Sequence, residues 1–121
     1  PVIASHTGCE WITPTPRNAS DEVIKGIAAS GGVAGLTFAR SMIESEAKLQ
    51  YRFDRALQLV GPDHIAIGYD LDWATMPDGI TDATCWLHTV RTMLGINYSS
   101  ELFKKVSGGN ALTLLNRRKS L

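Results

Sequence analysis

Three short apolar runs, VIASH at 2–6, VAGLTF at 33–38 and HIAIGYD at 64–70, constrain this chain more than any other feature. Stretches with helical periodicity lie between and after them. Strand, helix, strand, helix, strand is the order of consecutive right-handed βα units, which lay their strands parallel in one sheet under covering helices. Three parallel strands leave two open edges and are too few to close an eight-stranded barrel. The expected class is therefore α/β, read as part of a barrel with an open sheet as the alternative. The chain opens at Pro1, without Met, and enters a strand at once, which reads as the interior of a longer polypeptide.

The punctuation supports these elements. Ser20 is placed to cap a helix whose first turn carries Asp21 and Glu22, with Val23, Ile24, Ile27 and Ala28 as its apolar stripe. Ser30-Gly31-Gly32 ends it, with Gly31 suited to the left-handed conformation. Residues 39–46 show no clear period and read as a loop with some helical turn. A long helix over 47–60 should bury Tyr51, Ala56, Leu57, Leu59 and Val60 before Gly61-Pro62-Asp63 stops it. Along the third strand, Ile65, Ile67 and Tyr69 share one face, and Ala66, Gly68 and Asp70 the other. Trp86, Val90 and Leu94 mark a third helix, and Ser99 or Ser100 starts a fourth that buries Leu102, Phe103 and Val106. Gly108-Gly109 should break it, leaving Asn110 to cap a last helix that packs Leu112 and Leu115.

Twelve basic and twelve acidic residues cancel, which argues against a nucleic-acid or acidic-membrane partner. Arg117-Arg118-Lys119 is the one charge run, and it suits the C-terminal end of a helix. Cys9 and Cys85 make no disulfide framework. No apolar run reaches the roughly 18 residues of a membrane span. With no secretory or disulfide signal in view, the expected location is cytoplasmic.

The chemistry-bearing candidates sit at strand ends and in one loop. His6 ends its strand with an imidazole that suits a metal ligand or a base, or simply a satisfied strand-end histidine. Asp70 ends the third strand, where a carboxylate is placed for proton transfer or metal binding, and Asp72 would point the same way if the strand continued. Arg17 is a permanently charged fork suited to a carboxylate. His64 and His88 read as structural. His6-Thr7-Gly8-Cys9 has no second pair to complete a tetrahedral metal site. Ser5 and His6 should face apart as strand neighbours, which excludes a catalytic dyad. Gly108-Gly109 follows no strand and is no phosphate loop.

Taken as an ordered series, PVIASH, PRNASDE, LQLVGPDHIAIGYDLD, MPDGITD and GGNALTLL resemble the C-terminal portion of the membrane (renal) dipeptidase family, a branch of the metal-dependent amidohydrolase barrels. The resemblance covers essentially the whole chain. It implies strands six to eight, with their helices, of a TIM-type (β/α)8 barrel that holds two zinc ions. Residues 1–121 would then be the C-terminal fragment of a single barrel domain. By the same resemblance His6 is a zinc ligand, Arg17 binds the terminal carboxylate of the substrate, and Asp70 contacts its amino end and handles protons. The family's His-x-Asp pair, bridging glutamate, further histidine ligand and oxyanion-stabilising histidine lie in segments absent from this chain.

The implied reaction is hydrolysis of a dipeptide, or a related small amide with a free carboxylate, by a metal-bridged hydroxide. The partner is a small peptide, a homodimer is compatible, and the fragment alone is expected to be inactive. Two other readings stay open: a non-hydrolytic homologue acting in binding or maturation, and a deacylase of N-acyl amino acids on the same barrel. The chain departs from the family pattern at Tyr69, at Leu71-Asp72-Trp73 after the aspartate, and at Gly8, Cys9 and Trp11 after His6.

Overall fold

A computed structural model describes residues 1–43, 47–93 and 98–117. In chain order the elements are β1 (Ile3–Thr7), α1 (Asp21–Ala29), β2 (Val33–Leu36), α2 (Arg40–Ile43), α3 (Ala47–Val60), β3 (Ile65–Ile67), α4 (Trp86–Met93), α5 (Ser100–Lys104) and α6 (Asn110–Arg117). The strands form one parallel sheet in the order β1-β2-β3, so α1 and α3 are the crossovers of two βαβ units. All four residues of β2 are buried, as a central parallel strand covered on both faces requires.

Helix α1 starts where its cap predicts: Ser20 Oγ accepts from the Val23 N–H at 3.3 Å. It ends at Gly31, whose φ of +73° needs a residue without a side chain. The core lies between α1, α3 and the sheet, with Ile24 and Ile27 against Leu49, Phe53 and Ala56, and Leu36 and Ile65 beneath. Each fully buried Ile, Leu or Phe contributes roughly 1.5–3 kcal/mol. A second cluster joins Val33, Ala66 and Leu114, so α6 packs at the end of the sheet where β2 and β3 begin.

Several expectations are corrected. Tyr51 is exposed because the buried stripe of α3 runs through Leu49, Arg52, Phe53 and Ala56. Arg52 can enter this stripe since backbone carbonyls receive its fork. Val23 of α1 is exposed, while Leu57, Leu59 and Val60 are partly buried. Leu112 and Leu115 also face outward, because Asn110 and Leu114, four residues apart, form the buried face of α6.

Asn110 does not cap. Its amide donates to Pro62 O and Ile65 O, both at 2.7 Å, and so ties α6 to the start of β3. Gly108-Gly109 breaks the helix as expected: Gly108, at φ +158° and ψ −23°, leaves the helical region and separates the turns after α5 from α6. Ser99 caps α5, and Val106 is buried with Leu102 and Phe103 partly so. The side chain of Val90, and Leu94, Arg118 and Lys119, lie outside the described residues.

Candidate active site at the strand ends

β1 is irregular just where His6 sits. Ala4 pairs with Ala34 but Thr7 with Leu36, so β1 uses one residue more than β2 over the same stretch: a bulge at Ser5–His6. The bulge pushes the Ser5 carbonyl toward the other two strands. It fits because Gly35 of β2 and Gly68 after β3 have no side chain, and a Cβ at either position would overlap the Ser5 oxygen. A glycine within a strand was the sequence signal for this approach.

The bulge also removes the alternation that would keep Ser5 and His6 apart. Ser5 Oγ lies 2.8 Å from His6 Nδ1, which leaves Nε2 as the free ring nitrogen. With the proton on Nδ1, the Nε2 lone pair is available to a metal, the arrangement in which a second partner orients a ligating histidine. Nε2 faces Asp70 Oδ2 at 3.9 Å, too far for a direct hydrogen bond. The two side chains are 34% and 21% exposed, so they can be reached by solvent yet are partly shielded.

Asp70 reaches that place through an unusual backbone. The sheet pairing continues one residue past β3, with Gly68 N–H donating to Leu36 O at 2.9 Å. Tyr69 then stacks on Phe38 with ring centroids 4.7 Å apart, and burial pushes its phenol above the usual range, so it stays protonated. Asp70 has φ +62°, the one positive value outside glycine among the described residues. Aspartate tolerates this region better than most residues. The Asp70 carbonyl next accepts from Ala74 N–H at 3.1 Å, closing a turn that carries Asp72 into solvent. The strand does not continue, so Asp70 and Asp72 do not point the same way.

The loop after β1 returns Arg17 to His6. Thr7 Oγ1 accepts from Ala19 N–H at 3.0 Å, Ala19 also donates to Gly8 O at 3.1 Å, and Glu10 N–H donates to Ala19 O at 2.9 Å. These bonds clip the two ends of the loop together. At its tip, Asn18 N–H donates to Thr15 O at 3.0 Å, a β-turn with Pro16 and Arg17 as its central residues. His6 and Arg17 thereby line one open groove of about 540 Å³, with Glu10 on its wall. Arg17 is exposed and forms no ion pair among the described residues.

Beneath this loop lies a residue that sequence reasoning missed. Arg52 is completely buried; it donates to Met42 O at 2.5 Å and to Thr37 O at 3.3 Å. Cys9 is buried beside it and is a free thiol. Burial pushes the Cys9 thiol up, while the nearby guanidinium opposes that shift. The signal available in sequence was the helical spacing of Leu49, Arg52, Phe53 and Ala56, a core stripe with one arginine in it.

Among the described residues, no group of three or more His, Cys, Asp or Glu side chains converges on a point. His6 and Asp70 offer an imidazole nitrogen and a carboxylate oxygen, donor types that suit zinc but make only part of a tetrahedral shell. His64 is structural, with Nδ1 2.9 Å from Gly32 O, and His88 lies exposed on α4.

Comparison with known proteins gives the family and the fold. The family model for membrane dipeptidase, peptidase family M19, matches residues 1–120. A metallopeptidase of Rhodobacter sphaeroides, solved with a phosphinate mimic of the dipeptide L-Ala-D-Ala, is 32% identical with a TM-score of 0.88, over 97% of this chain and 36% of that one. Dipeptidase ataJ of Aspergillus terreus is 28% identical over 97% of this chain and 30% of its own length. For dipeptidase verJ of Clonostachys rogersoniana the values are 30%, 96% and 31%. The chain thus spans about a third of these relatives. Its α/β fold is the TIM-barrel type of the matching structures, and the chain belongs to the membrane dipeptidase family.

Proposed function

We propose that the full-length protein carrying these residues is a zinc-dependent, dipeptidase-like hydrolase, with this chain supplying strands six to eight at the C-terminal end of its barrel. One observation carries the reading. His6 and Asp70 meet at 3.9 Å across the strand ends, while Arg17, with no ion pair among the described residues, shares a groove with His6. Family membership and the names of the relatives support it, and the share of their length that is matched supports a partial barrel.

His6 Nε2 is the ligand this chain gives to the metal, and Ser5 Oγ holds the ring in orientation. Zinc, when bound, polarises the scissile carbonyl and lowers the pKa of water. Arg17 grips the substrate carboxylate with two N–H groups, fixing the distance from that end to the scissile bond. Asp70 Oδ2 accepts the proton of the attacking water and returns it to the departing amine.

Full-length protein should release amino acids from dipeptides, lose that activity to a chelator and regain it with zinc. Arg17→Ala should raise KM for free-carboxylate substrates by about tenfold or more, with kcat changed far less. No cleavage of any dipeptide by zinc-loaded protein, or full activity in Asp70→Asn, would overturn the reading. Preferential cleavage of N-acyl amino acids would make the protein a deacylase instead.

A further inference from the structure

Arg52 is the most anomalous residue in the fold. Arginine is rarely buried without a partner carboxylate, and leaving a charge uncompensated in the interior costs several kcal/mol. Among the described residues Arg52 has no carboxylate at ion-pair distance; its acceptors are the carbonyls of Thr37 and Met42, the Cys9 sulfur is a further side-chain partner, and its Nε has no partner. Burial accordingly lowers its pKa. A helix buried against a sheet does not need such a group, since leucine or methionine would fill the space.

What the guanidinium touches is informative. A Cβ built on Gly8 would overlap both Arg52 Nη2 and Asn18 Oδ1, so the Gly8 backbone rests against both. Asn18 in turn donates to Thr13 O at 2.7 Å and to Met42 O at 3.2 Å, sharing the latter acceptor with Arg52. Asn18 Oδ1 is buried without a donor of its own, beside the positive charge. Gly8 stands two residues after His6, and Asn18 immediately follows Arg17. One buried fork therefore supports both arms of the loop, the arm leaving the imidazole and the arm carrying the exposed guanidinium.

We propose that Arg52 is a positioning residue that sets the distance between His6 and Arg17, and so the length of substrate that fits between metal and carboxylate clamp. The inference rests on the reading of Arg17 as that clamp. Arg52 never meets substrate; it acts through Gly8, Asn18 and the Met42 carbonyl. A flexible loop would also hold an arginine near the site, but would lose entropy each time Arg17 had to be fixed.

The test uses full-length, zinc-loaded protein and two substrates, a dipeptide and its C-terminal amide. In Arg52→Met, KM for the dipeptide should rise about tenfold with kcat changed less than about threefold and zinc content unchanged. Cleavage of the amide, which offers Arg17 no charge, should match that of the parent protein. Arg52→Lys keeps a charge but not the fork, so its KM should fall between the two. Equal losses on both substrates, or a fall in kcat alone, would mark a merely structural role and overturn the proposal.

Hydrogen exchange supplies a readout independent of catalysis. The amides of Glu10 and Ala19 should exchange about tenfold faster in Arg52→Met, while those of Ala34 in β2 stay protected. Unchanged protection at Glu10 and Ala19 overturns the proposal. If the parent protein cleaves neither substrate, the dipeptidase reading fails, yet the exchange result still decides whether Arg52 holds the loop. Should Arg52→Met fail to fold, Arg52→Lys and Asn18→Ala must show the same selective rise in KM, or the proposal falls.

Discussion

The loop that follows β1 and the segment that follows β3 occupy equivalent places in the fold, and each delivers a charged group to the same end of the sheet. They hold that group by different means. Residues 8–19 are clipped end to end by backbone bonds and rest on the buried Arg52 and Asn18, so Arg17 is placed by tertiary polar contacts. Residues 70–79 are more open, with Trp73 92% exposed, and their tertiary ties run to Arg40, whose N–H donates to Thr75 O and whose guanidinium pairs with Asp78, both at 2.8 Å. There the position of the carboxylate is set by the left-handed backbone of Asp70. The first region should therefore be sensitive to added volume, and the second to which residues tolerate a positive φ.

The largest effect that separates them comes from two alanines. Gly8→Ala would drive a methyl group into Arg52 and Asn18, both buried and bonded, and should destabilise the protein by about 3 kcal/mol. Gly79 has φ +88° with open space around it, so Gly79→Ala meets only backbone strain, about 1 kcal/mol. Urea unfolding of the full-length variants measures both. Equal costs would mean that the two loops are held alike.

Asp70 gives a smaller effect on stability. Asparagine enters the left-handed region nearly as well, so Asp70→Asn should unfold within about 0.5 kcal/mol of the parent while losing hydrolysis. Asp70→Val puts a β-branched residue at φ +62° and should cost about 1–2 kcal/mol. If valine were as well tolerated as asparagine, the backbone would not be what places the carboxylate.

The same contrast explains what could be read from the sequence. Strand order, the Ser20 cap, the Gly31 stop and the span of α3 follow from local patterns, and the structure repeats them. So does the nearness of His6 and Asp70, since parallel strands bring their C-terminal ends together. A glycine within a strand signals a close approach, but not that the approaching group is the Ser5 carbonyl of a bulge, which depends on Gly35 and Gly68 far along the chain. Arg52 was hidden because hydrophobic periodicity assigns charged residues to solvent, and only the tertiary fold supplies carbonyls to receive one. Leu112 and Leu115 misled for the converse reason: an apolar side chain does not by itself name the face that packs.

The smallest effect lies at the far end of the strands, where Lys105 Nζ sits 2.7 Å from Asp63 just before β3. That hydrogen bond holds the Asp63 carboxyl below its ordinary 3.8 and raises the Lys105 ammonium above 10.5. A depressed carboxylate adds stability above its unfolded pKa and loses it as pH falls through the folded value. A raised ammonium adds stability below its unfolded pKa and loses it as pH rises through the folded one. The pair therefore acts across the neutral range and fades at both extremes. Because the pair lies at the surface, with the Asp63 side chain 64% exposed and that of Lys105 35%, Lys105→Ala should move the unfolding midpoint at pH 7 only slightly, and 1 M salt should erase the difference. Neither KM nor metal content should change, because the ion pair touches neither loop. A change in KM would couple the two ends of the sheet.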